Sequence, residues 1–480
     1  MSHKKHAISG AKWMTLSMVI VTALQMTQMV VLARLLTPEA FGTIALLMIV
    51  IGLADLQTQL GLHQVIIQDQ HLTQTQTSSL YWLSISLGII MYIIINVGYF
   101  IGGLFFYDPQ LHGYLETITL AFIILPLGGQ FSAQLQKNFK FKQYAQTEVI
   151  GAVTGVITAI TLAINDYGIW SLILAYIARC TVLSLTLIIF GFKNQFKISA
   201  EFSLAAIRNQ LKFALNLLGG NLLNFLTSRV DQMLVGLFLG AQALGYYSMA
   251  FNLIIQPILK LNPIITRVAL PIMSQLRTDK QALKQGYFTL LDIICSFNAP
   301  VFLGVLATAS MLIPVVIGPQ WLQVTPILQT LCIYAFFYSI FFSGISFVIA
   351  SGQSHLVFRW NIITAVTTTI TVLIATQVGD LLTVAQGLCI TQLGLVFLWY
   401  RQIVNKIIDT SFIEMIITIA KPFLIASCMS LIVISTEIQT LTDSELLKLI
   451  MSITIGMFAY IGLSILFRPE IKYAIKKRLK

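Results

Sequence analysis

Apolar runs of about twenty residues or more recur along this whole sequence, separated by polar turns that are mostly short. A run of that length is what an α-helix needs to cross the hydrocarbon of a bilayer. By this rule the chain reads as fourteen spans, at 11–36, 41–67, 78–106, 111–135, 146–165, 168–192, 209–239, 243–273, 286–318, 323–350, 355–378, 381–404, 411–436 and 445–468. The turns at Asn165–Gly168 and Gly379–Leu381 are the shortest separators within it. A β-barrel would instead show segments of about ten residues with alternating polarity. The expected fold class is therefore an all-α polytopic membrane protein of about 14 transmembrane helices.

Composition agrees. Of 480 residues 57% are hydrophobic and 10% charged, against about 25% charged in an ordinary soluble domain. The net charge of +11 is spread over short loops and forms no dense basic block with interleaved aromatics, so nucleic acid is not an expected partner. Cys180, Cys295, Cys332, Cys389 and Cys428 each stand alone in an apolar run, without the pairing that a zinc site or a disulfide framework uses. Six scattered histidines have no metal spacing. The apolar segment after Lys12 runs to about Leu36, too long for the core of a signal peptide, and reads as the first permanent span.

The loops fix an orientation. With the N-terminus in the cytosol, the inside loops carry Lys4 and Lys5, then Lys137, Lys140 and Lys142, then Lys193, Lys197, Arg208 and Lys212, then Arg277, Lys280 and Lys284, then Arg401 and Lys406, and finally a basic tail from Lys472. The loops assigned to the other side contain no Lys or Arg. This is the positive-inside pattern. It needs an even number of spans and puts both termini in the cytosol of a bacterial inner membrane.

An internal repeat divides the chain. LARLLTPEAFGTIALL from Leu32 aligns with VGLFLGAQALGYYSMA from Val235, an offset of 203 residues, matching Ala40 to Ala243 and Gly42 to Gly245. Each segment is a helix end, an outside turn and the next helix. The organisation read from it is an N-terminal six-helix lobe over 1–203, a C-terminal six-helix lobe over 204–406, and two further helices with the basic tail over 407–480. Parallel repeats of this kind enclose a central cavity near the bilayer midplane.

An ionisable residue at membrane depth costs about 2.5–3.5 kcal/mol on insertion scales, so such residues face an interior or a watery cavity. The deepest are Asp55, Arg179, Arg229 and Asp231. In a functional reading Arg179 and Arg229 hold an anionic group, while Asp55 and Asp231 orient them or bind a coupling cation. In a structural reading all four belong to ion pairs that fix packing. Arg34, three residues from an outside turn, either joins the cavity or snorkels to the interface. Polar groups concentrate in the first helix of each lobe, among them Gln28 with Thr22, Gln25 and Thr27, and Asn224 with Asn216, Asn221, Thr227 and Ser228. They suit a hydrated wall that exchanges hydrogen bonds with sugar hydroxyls, or plain hydrogen bonds between helices. Gly151 and Gly155 form a GxxxG that reads as a close helix crossing.

The stretch LARLLTPEAFGTIALLMIVIGLADLQTQLGLHQVIIQ resembles the N-terminal signature of bacterial polysaccharide flippases of the PST (Wzx-like) family. NFKFKQYAQTEVIG with NDYGIWSL, SRVDQMLVGLFLGAQALGYYSMAFNLIIQP with ITRVALPIMSQL, and the later GPQW and ASGQ resemble the same family, over about residues 10–400. Its members belong to the multidrug/oligosaccharidyl-lipid/polysaccharide exporter superfamily. The resemblance implies translocation of undecaprenyl-diphosphate-linked oligosaccharide by alternating access, with O-antigen, capsule or exopolysaccharide repeat units as cargo. It implies a proton or sodium ion as coupling partner, no other cofactor, and a polysaccharide polymerase and glycosyltransferases as neighbours. A multidrug or small-molecule cation antiporter of the same superfamily is the main alternative, though two arginines at depth suit an anionic cargo better. A membrane polymerase or ligase would carry a large outside loop, which the sequence lacks. An assembly subunit is a third reading.

Overall fold

The computed structural model describes residues 2–59, 62–69, 71–103, 109–212, 225, 227–353, 355–436 and 444–468. Among these every regular element is helical. The chain divides into two compact units, Met1–Arg229 and Val230–Lys480.

The first unit contains α1 (Ser2–Leu35), α2 (Pro38–Gln59), α3 (Leu62–Gln68), α4 (Gln74–Gly103), α5 (Pro109–Thr119), α6 (Ala121–Lys137), α7 (Phe141–Ile164) and α8 (Ile169–Lys193). Helix α1 stops where Thr37 and Pro38 follow. Proline suits the first position of the next helix, and Thr37 Oγ1 accepts a hydrogen bond from the Ala40 amide at 3.3 Å. Leu32, Leu36 and Ala40 at this elbow pack on Ala159, Ala163 and Ala175 of α7 and α8. Small residues let backbones approach closely inside lipid, where packing and hydrogen bonds replace the hydrophobic effect as the glue. A Cβ on Gly128 would stand 2.7 Å from Ser184 Cα, and Ser184 Oγ donates to the Ile124 carbonyl at 2.8 Å. The α7–α8 turn is made by Asp166 (φ 62°) and Gly168 (φ 54°). The basic segment after α8 lies along the start of α4, with the Ser199 and Ser203 amides donating to Ser78 Oγ and Ser79 Oγ at 2.8 and 3.0 Å.

The second unit contains α9 (Val230–Gln275), α10 (Lys280–Ile317, ending in a π turn), α11 (Val324–Ala350), α12 (His355–Val378), α13 (Leu381–Ile408, with a π turn at Tyr400–Val404), α14 (Phe412–Ser435) and α15 (Glu445–Phe467). Helix α11 forms the core, with Leu331, Cys332, Ala335, Phe336 and Ile340 wholly buried. Trp399 of α13 presses on Gly344, where a Cβ would come within 1.8 Å of its ring. Gly318 (φ 115°) turns the chain so that GPQW buries Trp321 against Tyr246, ring centroids 6.1 Å apart. Asn298 Nδ2 donates to Asn262 Oδ1 at 2.9 Å between two fully enclosed side chains. Ser430 Oγ donates to the Leu303 carbonyl at 2.7 Å. Asp380 starts α13 by accepting from the Thr383 amide at 3.0 Å, and these Thr383 hydrogen bonds hold its carboxyl below the usual carboxylate range.

Twelve helices among the described residues are long and apolar enough to cross a membrane. The sequence expectation was about fourteen, and two places account for the difference. In the second expected span α2 runs to Gln59, but the side chains of 55–59 and the whole of 60–61 lie outside the described residues, so Pro38–Ala54 alone counts there. Of the seventh expected span, residues 213–224 and 226 lie outside the described residues, and its end joins the eighth within α9, whose backbone is non-helical at Gly240 (φ 84°, ψ 174°). At 1.5 Å per residue the 46 residues of α9 would extend about 69 Å if straight, more than twice the thickness of a hydrocarbon core.

Candidate functional site

Asp231 occupies the first turn of α9, where unsatisfied N–H groups and the helix dipole favour a carboxylate. Ser228 and Arg229 form a turn just before it, so the continuous helix expected over 209–239 is interrupted there. Asp231 is 7% exposed. Tyr247 Oη donates a hydrogen bond of 2.7 Å to Asp231 Oδ2. In a straight helix sixteen residues would separate the two by about 24 Å, so this contact requires the chain to reverse at Gly240. The tyrosine is fully enclosed and stacks on Phe251 at 5.7 Å. Phe251 lies 6.5 Å from Tyr334 of α11, which stacks on Tyr338 at 5.7 Å and 14°. The carboxylate thus sits at the head of an aromatic row that links α9 to α11. Gln232 beside it is buried as well.

Arg179 of α8 lies in the first unit. Its Nη2 is 4.0 Å from Glu148 Oε2 of α7, with both side chains about one-third exposed. The GxxxG places it: a Cβ on Gly155 would stand 3.2 Å from Arg179 Cβ, and one on Gly151 would stand 3.5 Å from the Arg179 carbonyl oxygen. Two glycines on one face of α7 therefore let α8 lie close enough for Arg179 and Glu148 to meet. The expected close crossing is present, and it sets the position of an intramembrane charge.

A third polar cluster ties α15 to α10. Arg468 pairs with Asp292, and its Nη1 donates to Ser296 Oγ at 2.5 Å. Tyr460 Oη donates to the Ser296 carbonyl at 2.7 Å. Arg468 is 6% exposed.

Of the remaining sequence candidates, Arg34 is exposed in the last turn of α1, where a cation complements the helix C-terminus. Gln28 is half-buried on the same helix. Arg229 is half-buried in the turn before α9. The side chain of Asp55, on α2, and the whole of Asn224 lie outside the described residues. The partners of Asp231 and Arg179 are groups that the sequence reading did not pair with them. Tyr247 carried no sequence signal, being sixteen residues and a chain reversal away. Arg468 was not singled out either.

Comparison with known proteins gives these residues a context. The model of a family described as "Polysaccharide biosynthesis protein" matches residues 31–326. Lipopolysaccharide biosynthesis protein WzxC of Escherichia coli (strain K12) is 28% identical over 427 residues, covering 88% of this chain and 86% of its own. Teichuronic acid biosynthesis protein TuaB of Bacillus subtilis (strain 168) is 26% identical over 478 residues, covering 99% and 98%. Among solved structures, the lipid II flippase MurJ in an inward closed conformation superposes with a TM-score of 0.74 at 17% identity, over 97% of this chain and 99% of its own. That similarity establishes a shared fold. The sequence segments that carried the resemblance lie inside the matched range, except ASGQ at 350–353, which falls beyond it.

Proposed function

Because the chain belongs to the polysaccharide biosynthesis protein family, whose model spans more than half of it, we propose that it is a flippase. Its cargo is an undecaprenyl-diphosphate-linked oligosaccharide, moved by alternating access from the cytosolic to the outer leaflet of the inner membrane. The observation that carries this reading is where the family match falls. The described residues between 31 and 326 are membrane helices joined by short connectors. Whatever the family contributes to polysaccharide synthesis is therefore done inside the bilayer, and translocation is the step of such a synthesis that happens there. WzxC and TuaB are named for the biosynthesis of surface glycans and MurJ for flipping a lipid-linked one.

The physical task fits. A diphosphate and several sugars cannot enter hydrocarbon unaided, because a bare charge there costs several kcal/mol (about 2.5 or more). Arg179 and Arg229 supply positive charge against the diphosphate, and Asp231 with its tyrosine provides a fixed polar anchor. In this reading the chain crosses the membrane fourteen times with both termini in the cytosol, a proton or sodium ion drives the cycle, and no covalent bond is made or broken. A polymerase and glycosyltransferases act before and after it. The cation-antiporter alternative finds no support in relatives named for polysaccharide synthesis.

The test is deletion of the gene in its own host. The expected result is loss of surface polysaccharide and accumulation of the lipid-linked repeat unit in the cytosolic leaflet, both restored by the wild-type gene. Arg229→Ala at normal expression should fail to restore them. Normal surface polymer in the deletion strain would remove the assignment.

A further inference from the structure

The basic end of α1 and α7 combines charge, an aromatic ring and an apolar channel in one place, and none of its residues is among those assigned above to the cargo. A groove of about 290 Å³ runs between the two helices, lined by Trp13, Leu16 and Ile20 on one side and by Val149 and Ile150 on the other. Trp13 to Ile20 is seven residues, about 10 Å along the helix. At Trp13 the groove meets a second cavity of about 240 Å³, whose lining includes Lys140 and Lys142. Lys142 Nζ stands 5.2 Å from the centre of the Trp13 ring, a cation–π arrangement that holds the ammonium at the junction of the two cavities. Among the described lining residues of either cavity there is no carboxylate.

Two backbone features build the mouth. Phe139 has φ 56°, a left-handed conformation usually left to glycine or asparagine at the end of a helix. It stops α6 and leaves the Phe139 ring half exposed beside Lys140. At Gly10 any Cβ would fall 2.4 Å from Phe141 Cδ2, so the glycine lets α1 close against the ring. Topology alone places lysines in such a loop. It does not place them over a tryptophan at the open end of an apolar groove. Lys193 and Lys197, exposed in an equally basic segment, line neither of these two cavities.

We propose that this mouth and groove bind one anionic phospholipid of the adjoining leaflet. Its phosphate lies between Lys140 and Lys142, and an acyl chain follows Leu16, Ile20, Val149 and Ile150 into the membrane. Charge complementarity selects the head group, since two ammonium groups without a facing acid favour a net negative lipid over a zwitterionic one. The site locks the first helix of the chain to the helix that carries Glu148, so bound lipid would stabilise the first unit.

The test uses the purified full-length protein and native mass spectrometry of bound phosphatidylglycerol against phosphatidylcholine, with brominated phosphatidylglycerol as a quencher of tryptophan fluorescence. The expected preference for phosphatidylglycerol is about tenfold, equivalent to roughly 1.4 kcal/mol. The double variant Lys140→Gln/Lys142→Gln should bring the two lipids within about twofold of each other. Lys193→Gln/Lys197→Gln should keep the preference, and Trp13→Phe should lower the brominated-lipid quenching relative to wild type, the other five tryptophans being common to both proteins. All four positions changed in the lysine variants are outside the packed core, so folding is preserved. An unchanged preference in the first double variant, or an equal loss in the second, overturns the site. Preferential retention of polyprenyl phosphate by Lys140 and Lys142 over phosphatidylglycerol also overturns it, by assigning the groove to the carrier lipid. Because surface polysaccharide is not the readout, failure here leaves the flippase reading untouched.

Discussion

The two units meet an intramembrane charge in different ways. In the second, Asp231 is sealed, 7% exposed, and held by a neutral tyrosine hydroxyl at 2.7 Å. In the first, Arg179 keeps an open pairing with Glu148 at 4.0 Å, with both side chains about one-third exposed. A buried carboxylate must have its hydrogen bonds made by protein, since unmet burial is costly. An ion pair at 4.0 Å with both side chains partly exposed has a looser geometry and gains less from it. The two charges thus differ in how tightly they are held: one is enclosed with a short hydrogen bond, the other partly exposed with a long ion pair.

The largest expected effect on export is at Asp231. Asp231→Ala leaves the enclosed Tyr247 hydroxyl without its acceptor, at a cost of about 2 kcal/mol, and should lower surface polysaccharide about tenfold or more. Asp231→Asn keeps an acceptor for Tyr247 while removing the charge. Full export by the Asn variant would make Asp231 an anchor alone, whereas loss of export with normal thermal stability would make the charge itself functional. On stability the largest effect is expected for Gly344→Ala, whose Cβ would lie 1.8 Å from Trp399. The indole is wholly buried and cannot move aside, so the loss should approach the upper end of overpacking costs, about 3 kcal/mol, read as a lower melting temperature in detergent. Its counterpart in the first unit, Gly155→Ala, meets Arg179 Cβ at 3.2 Å and should cost less than about 1 kcal/mol. Equal losses at the two glycines would erase the distinction between these two contacts.

Tyr247→Phe should destabilise by about 2 kcal/mol, measured in the same thermal assay, because Asp231 loses a hydrogen bond to a charged group. The smallest effect is expected for Glu148→Gln, less than about 1 kcal/mol on stability. A loss above about 2 kcal/mol there would show the Arg179 pair to be sealed like Asp231, and the comparison between the units would fail.

Much of this was readable in advance, and the reasons are local. Apolar runs gave the helices. Asp166 and Gly168, and Asp380 with Thr383, gave the two shortest turns that part them. The GxxxG gave the crossing of α7 with α8, though not that Arg179 would be the residue it positions. The depth argument picked out Asp231 and Arg179 because a charge inside an apolar run is conspicuous in any sequence. Tyr247 was invisible to the same argument, as tyrosine is unremarkable in a span and its partner lies across the break at Gly240. The span count was the weakest element. It depends on where a helix bends, as within α9, whose backbone breaks at Gly240 inside an apolar run.

By itself the sequence determined the solvent and the class of structure. In lipid each backbone polar group must be satisfied within its own segment or a closed sheet, so long apolar runs have helices as their one outcome, and that outcome needs no knowledge of neighbours. Only the tertiary structure decided which group answers each buried charge. That choice rests on which helix faces meet, and helix contacts in a membrane are set by steric fit between residues far apart in the chain, as where the reversal at Gly240 brings a tyrosine to an aspartate.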